Sequence, residues 1–104
     1  MQPFKRGPDY IDPSWLTASA GRNCRNLDTI LMPEKSILPS FLNASRGADI
    51  AVIEGAMGLY DAYDLTGIGS TAYISRLLKS PVILVVSAAR MTRTSGERYP
   101  SSIE

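Results

Sequence analysis

Asp49-Ile50-Ala51-Val52-Ile53 is a β-branched apolar run that stops at Glu54-Gly55, and Pro81-Val82-Ile83-Leu84-Val85-Val86 is a second that stops at Ser87. Alternation of apolar and polar residues marks a sheet with one wet face, whereas an unbroken apolar run marks a parallel strand covered on both faces. Between the two runs, residues 70–79 predict a helix with Ala72, Ile74, Leu77 and Leu78 turned inward and Ser70 or Thr71 as its N-cap. Strand, loop, helix and strand within about 38 residues make one βαβ unit with a right-handed crossover, and hence an α/β fold with a mostly parallel sheet.

Toward the N-terminus, Ile37, Leu38, Phe41, Leu42 and Ala44 fall at helical spacing over residues 33–46, with Glu34 in the first turn and Gly47 past the end; Pro39 kinks this helix or resets its start. Residues 14–20 predict a turn or two of helix ended by Gly21, and residues 22–28 have no clear period and read as mostly irregular. Residues 7–13, with Gly7, Pro8 and Pro13, form an acid-rich loop, and residues 2–5 a short, weak first strand. Strands buried on both faces need helices on both faces, so two convincing helices and one weak strand read as part of a three-layer domain over residues 1–94. Residues 95–104 have no period and few apolar residues, and read as an unrelated or disordered tail.

Composition excludes several functions. The 104 residues carry 11 Lys and Arg against 10 Asp and Glu, a formal charge of +1, so no net field gathers nucleic acid or an anionic membrane. With no histidine, Ser-His-Asp and Cys-His catalysis and imidazole metal sites are excluded. The single cysteine, Cys24, makes no internal disulfide and reads as structural. No apolar stretch follows the basic pair Lys5-Arg6 and none is long enough to span a bilayer, so the expectation is a soluble, cytoplasmic chain.

The densest polar constellation is Lys5, Asp9, Asp12, Asp28, Glu54 and Asp61. Ligands of open parallel sheets sit beyond the carboxyl ends of the strands, where Lys5, Glu54 and Ser87 all lie. Carboxylates with few counter-charges repel one another unless a divalent cation or a cationic group offsets them, and magnesium with a nucleotide is the natural candidate. The plainer reading makes Asp9, Asp12 and Asp61 turn and cap residues. Gly55 and Gly58 let the backbone approach a ligand or form a tight turn. Gly67-Ile68-Gly69-Ser70-Thr71-Ala72 matches a dinucleotide fingerprint only formally, since no strand precedes it; its helix start, with Ser70 and Thr71, is a place for an anion. No Gly-x-x-x-x-Gly-Lys-[Ser/Thr] loop occurs. Arg90 and Arg93 read as a solvated pair, and Tyr10, Trp15, Tyr60 and Tyr63 as core or as a wall for a flat ligand.

Three strings in order, Pro3-Phe4-Lys5-Arg6-Gly7-Pro8-Asp9-Tyr10-Ile11-Asp12-Pro13, Arg25-Asn26-Leu27-Asp28 and Glu54-Gly55-Ala56-Met57-Gly58-Leu59-Tyr60-Asp61, resemble the cobyrinate a,c-diamide synthase family over residues 2–94. The resemblance implies a ligase of cobalamin biosynthesis with an ATP-binding domain of P-loop type similar to dethiobiotin synthetase, and a glutamine amidotransferase domain that supplies ammonia. ATP phosphorylates the a- and c-acetates of the macrocycle and ammonia displaces phosphate. On this resemblance Lys5 contacts phosphate, with Ser70 and Thr71 beside it; Asp9, Asp28 and Glu54 hold or orient Mg2+; and Tyr10, Asp12 and Asp61 bind substrate. Lys5, Asp9, Asp28 and Glu54 form the catalytic set. Members of the family commonly act as dimers. They also carry a phosphate-binding loop upstream and a glutaminase domain downstream, so the expectation is a partial ATP-binding domain, inactive alone. Ser87 and Tyr63 depart from the family pattern, where Asp and Gly are frequent. Nickel-sirohydrochlorin a,c-diamide synthase is the close alternative, and a non-catalytic tetrapyrrole-binding module or a gene remnant is the distant one.

Overall fold

A computed structural model of the chain describes residues 1–56, 58–61 and 67–87. Along the chain run β1 (Gln2–Arg6), α1 (Asp12–Ala20), β2 (Arg25–Leu27), α2 (Glu34–Ala44), β3 (Ala51–Glu54) and α3 (Thr71–Leu77). The strands form one parallel sheet in the order β2-β1-β3, with Phe4 opposite Arg25 on one side and Ile53 on the other. The α/β class read from the sequence is the class observed.

The supposedly weak first strand is the centre of the sheet, and all five of its residues are buried. Side chains alternate across a strand, so Phe4 and Lys5 leave on opposite faces. Phe4 enters the core with Leu27, Ile37 and Ile74, packed by Phe41, Ile53, Leu77 and Leu78, and its ring centroid lies 4.9 Å from that of Phe41. That face is covered by α2 and α3. Lys5 meets α1 on the other face, which completes three layers. Pro13 stands in the first turn of α1, where its missing N–H goes unneeded, and Gly21 at φ 73° ends the helix by donating its N–H to the Thr17 carbonyl at 2.9 Å. Helix α1 thus starts before the residues 14–20 expected of it. Pro39 lies inside α2 on its exposed side and neither ends nor restarts it.

Two expectations are corrected. Residues 22–28 are not irregular throughout: Arg25–Leu27 pair with β1 as an edge strand whose outer residue, Arg25, faces water. Residues 81–86 form no strand. Val82 and Leu84 turn inward while Ile83 and Val85 stand 91% and 88% exposed, so the segment alternates like a strand without a ladder. An apolar cavity of about 560 Å3, with residues 50–54 on one side and 80–85 on the other, separates it from β3. High β propensity reports fit to a half-buried surface and supplies no hydrogen-bonding partner. The parallel units are therefore β1-α1-β2 and β2-α2-β3, and the unit read between residues 49 and 86 stays open. Among the described residues no helix is long and apolar enough to cross a membrane. Met57, Tyr63, Arg90, Arg93 and the 95–104 tail lie outside the described residues.

Candidate functional site

From β1 the chain leaves to α1 on one face, whereas α3, which follows β3, packs on the other. The carboxyl ends of these neighbouring strands thus border a crevice of the kind where open α/β sheets bind ligands. It measures about 320 Å3 and is lined by Lys5, Arg6, residues 7–11 and Ala56.

Lys5 is the electrostatic centre of this end. Only 4% exposed, its ammonium donates to Asp12 Oδ2 at 3.1 Å, Glu54 Oε1 at 3.3 Å and the Gly55 carbonyl at 3.1 Å. Burial pulls the Lys5 pKa down, but the hydrogen bonds and charges of Asp12 and Glu54 together outweigh it and leave the group above its ordinary value. The two carboxylates are 45% and 47% exposed, so they face water while gripping a buried cation. Gly55 comes so close to α3 that a Cβ there would stand 2.8 Å from the Thr71 side chain.

The other acids divide. Asp9 Oδ1 accepts the Ile11 and Asp12 amides at 2.8 and 3.2 Å and so caps the turn that leads into α1. Asp28 is buried and its two oxygens accept the Ile30 and Leu31 amides at 3.1 and 3.0 Å, closing the turn after β2. Asp61 Oδ2 accepts the Gly58 amide at 2.9 Å. Ser70 Oγ caps α3 through the Tyr73 amide at 3.1 Å, and Thr71 Oγ1 accepts the Ala56 amide at 3.3 Å. Tyr10 lines the crevice and is otherwise exposed. Lys5, Asp12 and Glu54 are thus brought into contact. Asp9, Asp28 and Glu54 do not make a cage: among the described residues no three His, Cys, Asp or Glu side chains are grouped to hold a metal.

Two contributors escaped the sequence reading. Asn26 donates its amide to the Gly7 and Asp9 carbonyls at 2.7 and 2.5 Å and so fixes the crevice loop to β2. Arg6, 1% exposed, donates from Nε to the Gly69 carbonyl at 2.6 Å and from Nη2 to the Asp61 carbonyl at 3.2 Å. The signal for both was present, since Arg6 adjoins Lys5 and Asn26 lies two residues before Asp28.

The Asp9 cap makes the loop acid-sensitive. The Ile11 amide, helped by that of Asp12 and the charge of Lys5, holds the Asp9 carboxyl below its ordinary 3.8 despite an opposing desolvation. A group whose folded pKa is lowered contributes stability above its unfolded pKa and loses it as pH falls through the folded value. Denaturation midpoints taken from about pH 5 to pH 2 are expected to fall more steeply for the wild-type chain than for Asp9→Asn, which keeps the cap without the titration; parallel slopes contradict the assignment.

The chain is 49% identical over 94 residues to "Cobyrinate a,c-diamide synthase" of Magnetococcus marinus and 50% identical over 99 residues to the protein of that name from Methanosarcina acetivorans. It is 47% identical over 95 residues to "Hydrogenobyrinate a,c-diamide synthase" of Streptomyces coelicolor. Each match covers 90–91% of this chain and 20% of the relative, so the chain spans about a fifth of the length of the curated relatives it matches. No family model matches, and neither does any solved structure.

Proposed function

We propose that this chain, a homologue of the cobyrinate a,c-diamide synthases, serves the amidation of acetate side chains on a corrinoid, with the crevice beside Lys5 receiving the carboxylate that reacts. The observation that carries the reading is a buried ammonium held between two half-exposed carboxylates at the carboxyl ends of parallel strands, in a segment about 50% identical to those enzymes. Turning a carboxylate into an amide requires activation, because its oxygen is a poor leaving group. In the proposed reaction ATP transfers its γ-phosphoryl to an acetate oxygen, and ammonia attacks the carbonyl carbon and releases phosphate.

Lys5 supplies positive charge where negative charge gathers, and its two carboxylate partners fix its direction in advance. Asp12 and Glu54 together outweigh Lys5 by one negative charge, so the cluster favours a ligand that brings its own cation over a bare anion. Magnesium carried by nucleotide phosphates needs only one or two protein carboxylates. Glu54, half exposed with Oε1 committed to Lys5, fits that requirement, whereas Asp28, with both oxygens on backbone amides, does not. Tyr10 presents its ring at the rim, where a flat macrocycle can lie against it.

Equilibrium dialysis of the chain, with Mg2+ and a non-hydrolysable ATP analogue present, against cobyrinate and against its a,c-diamide tests the reading, with the corrinoid's own colour as readout. Retention of cobyrinate at about tenfold higher affinity than the diamide is expected, with the preference lost in Lys5→Met. Equal retention of both, or of neither, overturns it.

A further inference from the structure

We infer that Arg6 is a positioning residue that sets where the Asp61 turn stands relative to the Lys5 crevice. The inference deepens the functional reading above and rests on it for the corrinoid affinity that the test reads.

Lys5 and Arg6 are consecutive in the central strand and therefore leave the sheet on opposite faces. Lys5 gathers side-chain carboxylates. Among the described residues Arg6 takes hold of two backbone carbonyls: its Nε–H reaches that of Gly69 and its Nη2–H that of Asp61, which ties the turn after β3 and the approach to α3 to one planar group. Arg6 lines both the crevice and the apolar cavity beside β3.

The turn that Arg6 holds is a closed unit. Asp61 donates its N–H to the Gly58 carbonyl at 3.0 Å, while its carboxylate accepts the Gly58 N–H at 2.9 Å. A Cβ on Gly58 would lie 2.6 Å from Asp61 Oδ2, so the unit closes only on glycine. So small a unit keeps both its closed shape and its place through its attachments, two of which lie among the described residues. One is backbone, the Ala72 N–H donating to the Leu59 carbonyl at 2.9 Å. The other is Arg6, which fixes the Asp61 end. Gly69, the second carbonyl on the fork, is itself confined: its φ is +89° and a Cβ there would meet Thr29 Oγ1 at 2.5 Å. A rigid fork on a rigid strand, bonded to a confined loop on one prong and to the turn on the other, is a ruler between them.

Burying a guanidinium is an expensive way to fill core volume, and apolar residues of like size fill it at equal or better stability. What Arg provides and Met or Lys does not is two donors in a fixed relative direction. Lysine, with one flexible ammonium, can satisfy one of the two carbonyls in line but cannot set the angle between them.

The test compares the wild-type chain with Arg6→Lys and Arg6→Met by two readouts. Amide hydrogen exchange is followed at Gly58 and Asp61, with Phe4 and Leu27 as sheet controls, and corrinoid affinity is measured by dialysis as above. In Arg6→Lys, exchange at Gly58 and Asp61 is expected to quicken about tenfold or more while Phe4 and Leu27 stay protected, and affinity for cobyrinate per folded molecule to fall by about as much. Arg6→Met behaves likewise if it folds. Unchanged exchange at the turn in Arg6→Lys, or exchange that quickens equally in the sheet, overturns the inference. If the wild-type chain binds neither corrinoid, the functional reading fails, and the exchange readout still decides whether Arg6 sets the turn.

Discussion

Phe4→Ala is expected to lower the unfolding free energy of the chain by about 3–5 kcal/mol, enough to remove most of the stability of a domain this size. Phe4 is fully buried on the central strand, and its ring meets Phe41 of α2 while Ile74 of α3 and Leu27 of β2 pack around it. Few other large apolar side chains in the described residues are fully buried, so little neighbouring volume is available to collapse into the void. The penalty is raised further because β1 carries both ladders, to β2 and to β3, and loosening it loosens both. Guanidinium denaturation followed by far-UV circular dichroism checks the value. Phe4→Leu, which keeps most of the volume, should lose less than half as much. Equal losses in the two variants would show that the ring's shape, and not its volume, is what the core requires.

The same strand explains what was and was not legible in the sequence. Local pattern found α2, α3 and β3 because each announces itself within a few residues: the spaced apolar positions of residues 37–44, Ser70 at a helix start, and the run ending at Glu54. It undervalued β1 because Lys5 and Arg6 look like surface residues in any short window. They are buried because their partners come from far along the chain: Glu54, Gly69 and Asp61 lie 49, 63 and 55 residues away. Strand β2 was missed for a related reason, since three residues with an exposed Arg25 carry almost no period. The converse error was residues 81–86, where composition announces a strand but none of the described strands pairs with it.

For the candidate site, strand ends were legible in the sequence and the contacts of the acids were not. The position of Glu54 at a strand end and of Lys5 at another pointed to the same edge of the sheet, and there they meet. Asp28 reads as a ligand only through the family resemblance, yet an Asp two and three residues ahead of two backbone amides is equally a turn cap, and that is its contact set. Spacing alone does not separate the two, because both uses require a carboxylate just beyond a strand.

Removing the two carboxylates that grip Lys5 should cost more than removing Lys5 itself. In Asp12→Ala with Glu54→Ala, the buried ammonium keeps only the Gly55 carbonyl among the partners described here, and an uncompensated buried charge destabilises by about 3 kcal/mol. Lys5→Met alone should lose less, since the half-exposed Asp12 and Glu54 regain water. Adding Lys5→Met to the double variant removes the stranded charge and should recover most of the loss. The double variant also acquires a pH dependence of definite sign. With its carboxylates gone, burial alone acts on Lys5, and its folded pKa drops below the unfolded value. A lysine so shifted is penalised while it is charged in the unfolded chain, so the deficit should shrink as pH rises toward about 10. In the wild-type chain the sign is opposite: a raised folded pKa means that stability from Lys5 is full below the unfolded pKa and is lost as pH rises through the folded value. Denaturation midpoints from about pH 7 to pH 10.5 should therefore converge for the two proteins. Midpoints that stay parallel, or a triple variant no more stable than the double, would mean that Lys5 is less buried and less dependent on its partners than its contacts imply.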